Sequence, residues 1–188
     1  MKEIVEIAKA QKVEAPKKND VATLEAAQVG GTTPQEGARV LTKDAVAGAD
    51  AGPGAATIVS AVSGEEILAA IVGAGADDPE LAGSAPGVGT TSMSFARGGT
   101  SNTESRSVTT PKAAAVAGGI ALRSLVKEGK LASHTGNDNK SVQSAGISAV
   151  NKLLVAVEDI IKKTVKKVID KAKEKIDEAR DSKETVKQ

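Results

Sequence analysis

The chain predicts a mainly α-helical protein, an elongated helical bundle with long antiparallel C-terminal helices and loops rich in Gly, Ala, Ser and Thr. Three observations carry this. The last of the six prolines is Pro111, so nothing of that kind interrupts residues 141–181. Within them Ile147, Val150, Leu154, Val157, Ile161, Val168 and Ala172 recur at helical spacing. Between Gly30 and Gly99 lie fourteen of the nineteen glycines and four of the prolines, which is turn and loop chemistry.

Taken in order, residues 1–12 read as a short amphipathic helix with Ile4, Val5, Ile7 and Ala8 on one side, ended by Pro16. In TPQEGARVLTKDAV (33–46), Thr33 is an N-cap candidate, Pro34 takes the first helical position and Glu36 lies three residues past the cap. IVSAVSGEEILAAIV (58–72) places Ser63 and Glu66 in capping-box spacing, with Gly73 where a C-terminal cap belongs. Residues 74–109, with Pro79, Gly83, Pro86, Gly87 and Gly89, read as an irregular exposed loop.

TPKAAAVAGGIALRSLVKEGKLA (110–132) reads as a helix capped by Thr110, opened by Pro111 and stopped near Gly129. Its interior pair Gly118 and Gly119 costs about 1 kcal/mol each relative to Ala, a cost explained if another backbone packs close there. After the polar turn SHTGNDNK (133–140) the long helix begins, so the two are expected to pair antiparallel. At 1.5 Å per residue the long helix spans roughly 60 Å, more than one helix of a compact enzyme needs, and it reads as a strut packed along other helices.

Composition excludes several classes of function. Phe95 is the only aromatic residue, which leaves little to line a small-molecule pocket and nothing to stack on bases, so no nucleic-acid partner is expected. With no cysteine there is no disulfide, thiolate metal site, thiol nucleophile or lipidated cysteine. A formal net charge of +1 supplies no global field for an acidic partner. No segment has the length and apolarity of a membrane span, and MKEIVEIAKAQKVEAPKK has no secretory pattern.

The search for chemistry assigns no catalytic, cofactor-binding or metal residue and no cofactor, and an enzyme is not expected. GPG (52–54) and GVG (87–89) are isolated glycine turns without the frame of a phosphate loop. His134, the only histidine, reads as an exposed turn residue although Asp138 is near. NDN (137–139) lacks the spacing of a calcium loop and reads as a helix-capping turn. The sequon Asn139-Lys140-Ser141 carries no inference.

Lys162, Lys163, Lys166 and Lys167 form a basic run suited to an anionic lipid surface. Against it stand the four-residue spacings Glu158 to Lys162, Asp159 to Lys163 and Lys166 to Asp170, together with eight acidic residues between Glu158 and Glu184. A solvated helix face is the favoured interpretation.

Residues 110–132 and VQSAGISAVNKLLVAVEDIIKKTVKKVIDKAKEKIDEARD (142–181) resemble the C-terminal constant regions of the variable large proteins, outer-surface lipoproteins of relapsing-fever Borrelia related to the Lyme-disease antigen VlsE. VSGEEILAAIV (62–72) and SFARGGT (94–100) resemble further family segments. The resemblance implies a non-enzymatic, antigenically variable lipoprotein of the outer membrane, held by a lipid anchor, met by host antibodies and switched for immune evasion. It divides the chain, taken as a single domain over 1–188, into variable loops with short helices (13–109), a constant helical hairpin (110–181) and a disordered tail (182–188). MKEIVEIA (1–8) resembles an internal family segment, and with signal and lipidated cysteine lacking, an N-terminally truncated or silent copy is expected. The apolar stripe from Ile147 to Ala172 would then stay exposed and favour self-association. The other classes left open are an oligomerising helical adaptor and a peripheral lipid-binding or adhesin module.

Overall fold

The computed structural model describes residues 1–18, 22–44, 46–82, 85–101, 109–126, 129–134 and 138–185, the last four without side chains. Among the described residues there are seven α-helices and one 3₁₀ helix and no strand, only isolated bridges joining Thr23 to Lys112 and Leu81 to Gly99. The protein is mainly α, as expected. The residues group into two compact units, one of Met1–Ala15 with Val157–Gln188 and one of Pro16–Ala156.

The smaller unit begins with helix α1, Lys2–Ala10, which carries Glu3 in its first turn and Lys9 in its last, each complementing the helix dipole. Val5 and Ala8 are buried, as are Val13 and Ile160 of the same unit, whereas Ile7 is exposed instead of lying on the buried side. Pro16 does not end this helix. Lys12 adopts a left-handed φ of 60°. Its N–H donates to the Lys9 carbonyl at 2.8 Å and the Val13 N–H to the Ala8 carbonyl at 3.0 Å. That is the Schellman arrangement, with buried Val13 packed over the last turn.

The larger unit contains α2 (Ala26–Val29), the 3₁₀ helix Pro34–Leu41, α3 (Ala51–Ala61), α4 (Gly64–Gly73), α5 (Ser92–Arg97) and α6 (Ala113–Leu125). The element expected over 33–46 is a 3₁₀ helix that stops at Leu41, and Thr33 makes no side-chain cap. The tighter winding eclipses Glu36 and Arg39, which pair at 2.6 Å. GPG is not a free turn. It forms the first turn of α3, where the missing N–H of Pro53 costs nothing. The expected 58–72 helix is therefore two helices, broken at Val62 and restarted by the capping box of Ser63 and Glu66.

Residues 74–109 are not an irregular exposed loop. They contain α5, capped by Thr91, and bury Phe95 completely; positions 83, 84 and 102–108 lie outside the described residues. Helix α6 packs on α3, α4, α5 and the 3₁₀ helix, so it is the centre of this unit. It starts at Ala113, past Thr110 and Pro111, because an extended pairing holds the preceding residues: Leu24 donates to the Thr109 and Pro111 carbonyls and Ala113 to the Ala22 carbonyl. The neighbour that explains its glycines is chiefly α5, through the Ser92 side chain at Gly118 and through Phe95 and the Ala96 main chain at Gly119. A Cβ on Gly119 would lie 2.5 Å from Phe95 Cβ and 3.1 Å from the Ala96 nitrogen.

Helix α7 runs from Asp138 to Thr185 in one piece, beyond the expected limits at both ends, so residues 182–185 continue the helix; 186–188 lie outside the described residues. Within the larger unit it starts beside α3 and runs in the same direction. Asp138 accepts the Gly52 N–H at 3.2 Å, and Lys152 reaches the Val59 and Val62 carbonyls at the far end of α3. Residues 110–181 are thus two helices in sequence, but what the first half of α7 lies along is α3.

The buried stripe of α7 is also displaced from the expected one. Val142, Ala145, Ala149, Leu153, Ala156 and Ile160 are buried, and Ile147, Leu154, Ile161 and Val168 are exposed. Small side chains shorten the distance at which two helices pack, and the buried face of this helix alternates Ala145, Ala149 and Ala156 with Val142, Leu153 and Ile160.

Two substitutions test these packing arguments. Gly119→Ala raises helix propensity by about 1 kcal/mol, yet is expected to destabilise by about 1–3 kcal/mol in urea denaturation because its methyl meets α5. Lys12→Gly is expected to stabilise by about 1 kcal/mol, since it removes a left-handed side chain at the α1 terminus.

Candidate functional site

A helix ends with carbonyls that have no partner inside it. In the larger unit two cations carried by neighbouring helices close three such ends. Arg123, in the last turn of α6, donates from Nε to the Ala96 carbonyl at 2.9 Å and from Nη2 to the Arg97 carbonyl at 3.0 Å, where α5 ends. Its Nη1 donates to Leu41 at 2.7 Å and Thr42 at 3.0 Å, where the 3₁₀ helix ends. Lys152 of α7 donates to Val59 and Val62 at 2.7 Å and Ser60 at 3.2 Å, closing α3. Both sit at the negative ends of helices, where a cation is favoured.

Burial lowers the pKa of Arg123 from its ordinary value through desolvation, but a guanidinium remains protonated. Gly98 completes the clasp with φ 74°, and a Cβ there would lie 2.1 Å from the Leu41 carbonyl oxygen. Gly98 and Gly99 in turn accept the N–H groups of Leu81 at 3.1 Å and Lys43 at 2.9 Å. Three connecting segments are thereby tied together through main-chain atoms.

Outward of this clasp, Lys43, Asp44, Val46, Ala76, Asp77 and Pro79 are exposed, as are Val88 and Gly89. Beside it lies a groove of about 720 Å³ lined by Met93, Leu122, Val126 and Leu131 with Lys43, Arg97, Arg123 and Lys130. Its volume falls in the range of ligand sites. Its polar groups do not converge on the space, however. Arg97 donates to the Ala76 carbonyl at 3.0 Å, Lys43 pairs with Glu80, and Arg123 is spent on carbonyls.

His134 is half-buried and not an exposed turn residue; its N–H donates to Asp138 at 3.2 Å, and its Nδ1 is enclosed without a hydrogen-bond partner. Asp138 thus ties the turn before α7 to the start of α3. Among the described residues no three His, Asp or Glu side chains are placed to hold a metal. GVG forms a turn in which Thr90 donates to the Gly87 carbonyl at 3.0 Å, and Asn139 lies in the first turn of α7. Of the three ion pairs expected on α7, Glu158 and Lys162 meet at 2.7 Å, and this hydrogen bond raises the Lys162 pKa; the other two spacings form no ion pair within 4.0 Å.

Neither Arg123 nor Lys152 was legible as a site in the sequence. The only signal was an arginine placed in the otherwise small and apolar run AAAVAGGIALRSL.

Compared with known families, residues 1–176 match the model of the Borrelia lipoprotein family. The chain belongs to that family. Among curated relatives, variable large protein 18 of Borrelia hermsii is 61% identical over 157 residues, covering 84% of this chain and 43% of the relative. Variable large protein 25 of the same organism is 53% identical over 186 residues, covering 98% and 50%. The fold is similar to the crystal structure of the Lyme disease variable surface antigen VlsE of Borrelia burgdorferi, with a TM-score of 0.64 and 27% identity, over 91% of this chain and 63% of that one. This member of the Borrelia lipoprotein family spans about half the length of the curated relatives it matches.

Arg123→Met is expected to destabilise the protein by about 2–4 kcal/mol in urea denaturation, because partly buried carbonyls lose charge-assisted bonds. Arg123→Lys should recover less than half of that loss, since one ammonium cannot reproduce the planar fork that spans two helix ends.

Proposed function

We propose that this chain forms part of an antigenically variable surface lipoprotein, a non-enzymatic antigen whose exposed turns present changing sequence to host antibodies outside the outer membrane. The observation that carries this reading is the nature of the clasps. Arg123 and Lys152 grip main-chain carbonyls of Leu41, Thr42, Ala96, Arg97, Val59, Ser60 and Val62, not side chains. A contact of that kind persists when the gripped segment changes its side chains. Exposed positions next to a clasp can then vary at little cost in stability, while α6 and α7 keep the residues that do the gripping. The kinship with variable large proteins and with a variable surface antigen supports the same reading.

The test is surface proteolysis of intact cells expressing the protein, followed by detection of peptides from residues 13–57. Loss of those peptides while interior proteins survive is the expected result; peptides that persist until the cells are lysed would overturn surface display. A second expectation concerns variation itself. Joint replacement of Ala76, Asp77 and Val88 should abolish recognition by antibodies raised against the parent chain and leave far-UV circular dichroism and urea midpoint unchanged.

A further inference from the structure

We draw no further inference here: the strongest candidate, the groove of about 720 Å³ beside the Arg123 clasp that Met93, Leu122, Val126 and Leu131 line, carries nothing, because Lys43, Arg97 and Arg123 at its rim are committed to Glu80 and to main-chain carbonyls and nothing in the structure shows what covers it.

Discussion

The larger unit depends on the closure of helix ends by cations from other helices. Short helices are costly in this respect, because the carbonyls of the last turn form a large fraction of their backbone. The six residues of α5 and the eight of the 3₁₀ helix could not bury Phe95 and Leu41 beside their own ends without partners for those carbonyls. Arg123 supplies both ends from one guanidinium, and Lys152 supplies α3 from another helix. Arg123 sits on a helix that is otherwise small and apolar, and Lys152 adjoins the buried Leu153, so the position of each follows from the packing of its helix. Glycine is demanded at position 98 for the same reason, because the Leu41 carbonyl and the Arg123 fork occupy the space of a side chain.

A main-chain clasp has a consequence for sequence. Core packing constrains side chains by volume, and a clasped carbonyl constrains only backbone position. Segments tied in this way are held as firmly as core elements while their outward side chains remain unconstrained. The region first read as variable loops with short helices therefore contributes Leu24, Val40, Leu41, Ile58, Ile67, Leu68 and Phe95 to the core, and it also carries exposed turns. Rigidity and tolerance coexist there because they reside in different atoms.

Helix α7 uses its length in two ways. Over its first half Val142, Ala145, Ala149, Leu153 and Ala156 are buried, and Ile147, Leu154 and Val155 are left outside. Over its second half the rotational position of the buried face carries charges of both signs, Lys163, Lys167, Glu174, Glu178 and Asp181 among them, and Ile161, Val165, Val168, Ile169 and Ile176 are exposed on another side. A helix with two apolar faces cannot be resolved by periodicity alone, since both stripes have the same period and differ only in phase.

The sequence by itself determined the helical class, the capping box at Ser63, the turn at Gly87, the need for a close neighbour at Gly118 and Gly119, and the resemblance to a Borrelia family. All of these are local signals, or blocks of residues long enough to be recognised, and local chemistry is written in adjacent residues. Tertiary structure alone decided which face of α7 is buried, that α5 is the neighbour of α6, that residues 109–112 are extended, and that Arg123 and Lys152 are clasps. Those outcomes join positions such as 41, 97 and 123 that share no pattern in the chain, because a carbonyl accepts from any cation that packing brings within about 3 Å, whatever residue carries it.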